Sequence, residues 1–462
     1  MVMINFLKQL VPESLLKLVR PWYHGIIAWD ASIYFDRPSE RLIVIGITGT
    51  AGKSTTAAML AHILNASGLK TGYITTVDFF DGQKDYINKH GLSMPNEIRL
   101  QKQLHAMVLN KCKAAIIECT SEGLGQNRHW GTNFDIGLIT NLSGAHLEAH
   151  GGFDQYRAAK AKLFSAVFKG SRKKLFPHKF LGVNLDDPQA EFFTKFRADK
   201  IFGISLNGAQ SAVDKSYRAH AVSPGNYEIE GHALELNIPG KFNVYNALLA
   251  VACANMLGMR VADAALRLKD FTVIAGRMEE IKNSRGIKVF VDYGCEPVSI
   301  KSALLAVNEL PHNRIIHVFG STGGHRDTSK RFIFGKTSAE LADVSIITND
   351  DVYDSDPQKI AEDIAEGFRQ AESGKYKVKS VETILDRREA ICHALSIAQP
   401  NDIVLITGKG SEQFLVLPGN KRISWDEREV VREELAKLTS MASSLRLRSG
   451  QALRSASDEA SR

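Results

Sequence analysis

The sequence predicts an α/β protein built from two successive α/β domains on mostly parallel sheets. Three observations carry that reading. An apolar run, Leu42 to Ile47, breaks into a Gly-rich turn and then into an Ala-rich helical pattern from Thr55 to Leu64, the context a phosphate-binding loop requires. From residue 41 onward, strand and helix patterns alternate, as they do when helices cover both faces of a parallel sheet. A second alternation of the same kind begins near residue 286.

In the first series the strand candidates are 42–48, 72–76, 114–119 and 135–140, with helical patterns at 53–67, 96–110 and 155–168. Residues 180–205 continue it, 213–238 are more β-like, and Pro239-Gly240 breaks into a helix at 243–257. The second series has strands at 288–293, 315–320, 344–349 and 403–407, separated by helical patterns near 298–309, 333–341, 357–372 and 384–397. Turn chemistry between 273 and 286 marks the boundary. The expected division is a short lead segment 1–40, a central domain 41–275, a C-terminal domain 276–440 and a disordered Ser/Arg/Ala-rich tail 441–462.

Within the loop, Gly49 and Gly52 let backbone N–H groups approach phosphate oxygens, and the following helix adds partial positive charge at its start. Lys53 is placed to reach the β- and γ-phosphates and the Ser54 hydroxyl to touch Mg²⁺. Gly49, Thr50, Gly52, Lys53, Ser54 and Thr55 are therefore the expected ATP-binding residues. Counted from Gly49 the loop is two residues shorter than the general Gly-x-x-x-x-Gly-Lys-Ser form; counted from Gly46 it fits loosely.

At 44% hydrophobic and 24% charged residues, the composition is that of a soluble globular protein. The net charge of +7 is partly owed to four Arg between Arg446 and Arg462, so it carries no nucleic-acid footprint; anionic small substrates suit it equally. Five scattered cysteines with no C-x-x-C pair indicate neither a disulfide framework nor a zinc site, and a cytoplasmic home is expected. The N-terminus alternates apolar residues with Lys8, Glu13, Lys17 and Arg20. It is neither a signal peptide nor a membrane span; it reads as a helix packed on its own protein, with an interfacial helix as the alternative.

Further chemistry lies at strand ends. Glu118 closes Ala114-Ala-Ile-Ile-Glu118, at the ligand-binding edge of an α/β sheet, where it is placed to complete Mg²⁺ coordination. Thr140-Asn-Leu-Ser-Gly-Ala-His146 and His150 follow another apolar strand, and Tyr156-Arg-Ala-Ala-Lys160-Ala-Lys-Leu-Phe164 opens a helix soon after.

These residues resemble the Mur ligases, ATP-dependent amide-bond-forming enzymes of peptidoglycan synthesis, and among them the UDP-N-acetylmuramoyl-tripeptide synthetase branch. The loop is similar to that family's Gly-Thr-x-Gly-Lys-Thr/Ser-Thr. Glu118-Cys-Thr-Ser121-Glu-Gly-Leu-Gly-Gln-Asn-Arg128, Thr140-Asn-Leu with His146-Leu and His150-Gly, and Tyr156-x-x-Ala-Lys160 follow in the family's order. So do Pro239-Gly240-x-Phe242-Asn243-Val-Tyr-Asn246, Gly276-Arg277-Met-Glu279, Val291-Asp292-Tyr293, Gly320-x-x-Gly-Gly-x-Arg326-Asp327, and Gly408-Lys-Gly-x-Glu412.

The resemblance implies a central P-loop ATPase domain and a Rossmann-like C-terminal domain. It implies that Lys53 binds the γ-phosphate, that Ser54 and Glu118 hold one Mg²⁺, and that His146 holds a second metal with a carbamylated Lys160. Lys53, His146 and Lys160 are then the catalytic set. Asn246 would face adenine, Asp292 the ribose, and Arg277 the phosphates or the hinge; Ser121 and Arg128 would touch the acceptor. Arg326 and Glu412 would grip the incoming amino acid. The implied reaction passes through an acyl phosphate, with domain closure excluding water, in a monomer whose partners are ATP, an amino acid and UDP-MurNAc-L-Ala-D-Glu.

Several positions depart from the family pattern. Only about forty residues precede the loop strand, too few for the uridine-gripping N-terminal domain of three-domain members. Ser93-Met94-Pro95, Ala145 and Glu122 replace family residues, and Asp292-Tyr-Gly-Cys-Glu-Pro297 lacks the family's imidazole. The acidic stretch Asp350-Asp351-Val-Tyr-Asp354 has no Arg to pair a second carboxylate, so L-lysine or another diamino acid is the expected substrate. The alternative is a ligase of this fold acting on another acceptor, of the folylpolyglutamate, cyanophycin or poly-γ-glutamate type.

Overall fold

The computed structural model describes residues 13–88, 94–144, 151–223, 226–272, 274–324, 326–372 and 380–440. They form two compact units, one of Met1–Asn237 with Lys241–Thr272, the other of Ile238–Gly240 with Val273–Arg462.

In the first unit the strands run β1 (Ile43–Thr48), β2 (Thr71–Ile74), β3 (Asp78–Phe80), β4 (Asp85–Ile87), β5 (Ala114–Glu118) and β6 (Ile136–Ile139). They continue as β7 (Phe180–Asn184), β8 (Lys200–Ser205), β9 (Lys215–Ser223), β10 (Asn226–Ile229) and β11 (His232–Glu235). Their spatial order is β11-β10-β9-β8-β7-β6-β1-β5-β2-β3-β4. The pairings from β2 through β5, β1, β6, β7 and β8 to β9 are parallel; the hairpin strands at either end pair antiparallel.

β1 is central and all six of its residues are buried. That is why it reads as an uninterrupted Ile/Val run rather than an alternating one. β5 lies on one side and β6 on the other, so the loop after β1 opens where the ends of three parallel strands converge. The helix Lys53–Ala66 follows the loop, Glu97–Leu109 leads toward β5, and Phe153–Lys169 follows β6. Asn96 caps the second of these, its side chain accepting from Arg99 N at 2.9 Å, as an N-cap does. Ahead of β1 lies the helix Glu13–Tyr34, tied to the unit by Asn127 Nδ2 donating to Pro21 O at 3.2 Å.

The second unit carries β12 (Glu279–Glu280), β13 (Lys288–Asp292), β14 (Ile315–Phe319), β15 (Val344–Ile347), β16 (Val381–Thr383) and β17 (Ile403–Thr407), ordered β12-β13-β17-β14-β15-β16. All pair parallel except β12. A separate hairpin, β18 (Phe414–Leu417) and β19 (Lys421–Ser424), follows.

The base of β1 rests on a buried charge cluster. Asp135 is fully buried, and its carboxylate accepts from Val44 N at 2.8 Å while pairing with Lys173 and, at 3.1 Å, with Lys179. Burial pushes the Asp135 carboxyl up and the Lys173 ammonium down to about 8, each against the pull of its partner. Such a cluster adds little net stability but fixes which groups meet. Asp135→Ala strands two buried ammonium groups and is expected to cost about 3–5 kcal/mol, read as a lower denaturation midpoint with unchanged slope.

Candidate active site

The loop between β1 and the helix Lys53–Ala66 turns on two glycines with positive φ, Gly49 at 146° and Gly52 at 83°. A Cβ at Gly49 would strike Thr140 Oγ1, and one at Gly52 would strike Asn246 Oδ1. The close approach demands glycine on steric grounds as well as conformational ones. Gly52 is the N-cap of the helix, and no side chain caps it. The helix dipole at this end favours an anion. This geometry fits the phosphates of a nucleotide.

The loop is clasped by the strand beside it. Thr50 N donates to Asn141 O at 2.9 Å and Ala51 N to Asn141 Oδ1 at 3.0 Å, while Asn141 Nδ2 donates back to Ala51 O at 3.1 Å. Thr140 Oγ1 donates to the same carbonyl at 2.6 Å. Ser143 N donates to Thr50 Oγ1 at 3.0 Å, and Tyr156 OH lies 3.1 Å from that oxygen. The Asn141 and Tyr156 contacts were not assigned from sequence. The signal was present in Thr140-Asn-Leu and Tyr156-x-x-Ala-Lys160, but the partner lies about ninety residues away in the chain.

Glu118 is 2% exposed at the end of β5. Its carboxylate accepts from Ser54 Oγ at 2.7 Å, Thr76 N at 2.9 Å and Thr76 Oγ1 at 2.9 Å. Lys53 Nζ stands 3.9 Å from it and donates to Thr50 O at 3.1 Å. Ser54 and Glu118 thus bring a hydroxyl and a carboxylate together, the hard oxygen donors that Mg²⁺ takes. Thr55 is buried in the first helical turn.

Lys160 is 2% exposed. Its Nζ donates to Gly49 O at 2.7 Å and lies 4.4 Å from the centre of the Tyr156 ring. Burial, reinforced by the Lys53 ammonium, pushes its pKa well below that of ordinary lysine. Lys53, Ser54, Glu118 and Lys160 therefore surround one loop. His146 lies outside the described residues, as do Ser93, Ala145 and His150.

The remaining expected residues are distributed as follows. Asn246 is buried behind Gly52, where its Oδ1 accepts from Thr56 Oγ1 at 3.3 Å and its Nδ2 donates to Asn243 Oδ1 at 3.2 Å. Ser121 begins a short helix capped by Thr120. Arg128 donates to Met94 O at 3.1 Å and Gln126 Oε1 at 2.9 Å.

In the second unit, Asp292 ends β13 and accepts from Met278 N at 2.8 Å and Gly294 N at 2.7 Å; burial raises its pKa. The Arg277 guanidinium lies 4.1 Å from the centre of the Tyr293 ring. Arg326 is exposed. Glu412 pairs with Lys409, whose Nζ also lies 2.9 Å from Asp351 Oδ1. Burial works against the Lys409 ammonium, but Asp350, Glu412 and Asp351 outweigh it and raise its pKa. Asp350 and Asp351 are buried, while Asp354 and Asp356 are exposed. The acidic stretch is thus partly neutralised by the chain's own lysine.

Residues 47–254 match the Mur ligase middle domain, and residues 276–410 match the Mur ligase glutamate ligase domain. The chain belongs to the Mur ligase family. It is 34% identical over 405 residues to the UDP-N-acetylmuramoyl-L-alanyl-D-glutamate–2,6-diaminopimelate ligase of Geobacillus kaustophilus, covering 87% of this chain and 80% of that one. The ligase of the same name from Clostridioides difficile is 32% identical over 422 residues, covering 88% and 81%. A solved structure of such a ligase is 27% identical, with a TM-score of 0.58 over 86% of this chain and 79% of the other. The Thermotoga maritima MurF ligase in complex with ADP shares the fold, with 17% identity and a TM-score of 0.59 over 90% and 83%. Mur ligases are ATP-dependent and form amide bonds, and this chain is one of them.

Asn141→Ala removes both side-chain bonds to Ala51. It is expected to weaken ATP binding by about tenfold, ~1.4 kcal/mol, in calorimetric titration. Gly52→Ala is expected to abolish measurable ATP binding while the melting transition remains cooperative.

Proposed function

We propose that this Mur ligase adds a diamino acid to the D-glutamate carboxylate of UDP-MurNAc-L-Ala-D-Glu during peptidoglycan precursor synthesis, in the cytoplasm. The observation that carries the reading is the likeness to 2,6-diaminopimelate ligases along nearly the whole described chain. The clustering of Lys53, Ser54, Glu118 and Lys160 about one loop supports it.

In this reading the acceptor carboxylate attacks the γ-phosphorus of ATP in line, ADP leaves, and an acyl phosphate forms. The amine of the amino acid then attacks the acyl carbon; the tetrahedral adduct loses phosphate, and the amine proton passes to base or solvent. A bound Mg²⁺ would supply neutralisation of the crowded phosphate oxygens, held by Ser54 and Glu118. Lys53 adds a fixed positive charge on the same side. The Thr140–Asn141 clasp holds the loop backbone in place before the substrates arrive, so little reorganisation is left for the reaction itself.

We further propose that Lys160 carries a carbamate, which converts an ammonium that would repel metal ions into an anionic oxygen donor. Its burial supports this, because desolvation favours the neutral amine that captures carbon dioxide. His146 is proposed, with Lys160, as a ligand to a second metal. In the second unit Arg326 and Glu412 are the proposed contacts to the amino acid, with Asp292 and Arg277 proposed at the nucleotide.

The test is product formation with ATP, Mg²⁺ and UDP-MurNAc-L-Ala-D-Glu, scanned across single amino acids and read by mass spectrometry. A tripeptide formed with a diamino acid supports the reading. Absence of product with every amino acid, while ATP still binds, contradicts it and redirects the search to other carboxylate acceptors. Lys53→Ala is expected to lower turnover by more than about a hundredfold with the fold intact. Lys160→Ala is expected to lose turnover and regain part of it with added short carboxylates; full activity in that variant would remove the carbamate.

A further inference from the structure

The helix Glu13–Tyr34 is built with its small residues inward and its large ones outward. Gly25, Ala28, Ala31 and Ser32 are buried. Gly25 lies against the Trp130 ring, where a Cβ would have no room, and Trp22 meets that ring edge-on at 5.7 Å. A polar tie, His24 Nδ1 to Glu97 Oε1 at 2.6 Å, anchors the same inward side.

The outward side is the reverse of what water selects. Nine residues between Val19 and Tyr34 are exposed, and seven of them are Val19, Trp22, Tyr23, Ile26, Trp29, Ile33 and Tyr34. Trp22, Ile26 and Trp29 are 63%, 56% and 53% exposed. At 3.6 residues per turn, the seven fall within an arc of about 140°. Among the exposed residues only Asp30 interrupts this arc; an apolar stripe of this extent marks an interaction surface rather than a scatter of exposed side chains.

We propose that this stripe docks the enzyme on an anionic lipid bilayer, with the helix lying in the plane of the interface. Three features favour lipid over a second copy of the chain. Trp22, Tyr23, Trp29 and Tyr34 are side chains with an apolar body and a polar tip, the type that settles at headgroup level. The sequence ahead of the stripe is itself rich in large apolar residues, Phe6, Leu7, Leu10, Leu15, Leu16 and Leu18. From residue 6 through the helix, Lys8, Lys17 and Arg20 outnumber Glu13 and Asp30, a small basic excess complementary to anionic headgroups. No helix among the described residues is long and apolar enough to cross a membrane, so the helix lies on the bilayer.

The experiment is flotation of the full chain with vesicles of phosphatidylcholine alone and with one-third phosphatidylglycerol, beside an Ile26→Ser/Trp29→Ser/Ile33→Ser variant. The wild type is expected to float with the anionic vesicles, with its tryptophan emission shifted to the blue. The variant should bind at least about tenfold more weakly, at unchanged melting temperature and with unchanged turnover in solution. Failure of the wild type to float with anionic vesicles overturns the proposal. So does equal flotation of the variant. A wild-type dimer in light scattering that the variant abolishes, without vesicle binding, assigns the stripe to a second copy instead.

Discussion

The first unit depends on one buried carboxylate. Glu118 stands at the end of β5, yet it accepts from Ser54 in the helix after β1 and from both the backbone and side chain of Thr76 after β2. Three neighbouring segments are thereby pinned to one point, with the Lys53 ammonium close by. A carboxylate at 2% exposure is tolerated only when its acceptor sites are filled. The same bonds that satisfy it also align the hydroxyl and carboxylate that suit a divalent ion. From the other side of β1, Thr140 and Asn141 clasp the loop backbone, so the phosphate-binding turn is held between β5 and β6.

The second unit uses the same edge of a parallel sheet in a different way. Asp292, Asp350 and Gly408 stand at or just beyond the ends of β13, β15 and β17, where open α/β sheets present ligand sites. Behind them Arg387, fully buried, pairs with Glu427 and donates to Asn349 O at 2.9 Å and Thr407 O at 2.8 Å. This guanidinium joins the exits of β15 and β17, much as Glu118 joins strand exits in the first unit. Lys409 does the local electrostatic work, lying between Asp351 and Glu412.

Much of this was legible in the sequence, for identifiable reasons. Central strands such as β1, β5, β14 and β17 are buried along their whole length, so they appear as apolar runs. The loop was legible because two glycines and a Lys-Ser pair at fixed spacing have few other uses. The short strands β3, β4 and β16 escaped notice, since three residues give no periodicity to count. Asn246 was expected at the adenine, yet its amide braces Thr56 from 190 positions away; such a contact leaves no local trace. The acidic stretch at Asp350 pointed in sequence to a diamino acid substrate. Lys409, 58 positions further on, reaches Asp351, and that pairing is visible only in the fold. The N-terminal helical pattern read over residues 6–20 lies partly outside the described residues; in the helix Glu13–Tyr34 the small residues Gly25, Ala28 and Ala31 are buried, while Trp29 and Ile26 are exposed.

The most direct test of the account is ATP titration of the wild type and of Glu118→Gln across a range of Mg²⁺ concentrations. A Mg²⁺ site at Ser54 and Glu118, as proposed, predicts that Mg²⁺ strengthens ATP binding in the wild type, and that Glu118→Gln loses most of this strengthening while melting as a cooperative fold. An unchanged Mg²⁺ dependence in Glu118→Gln would contradict it and reduce Glu118 to a structural tie between strand ends.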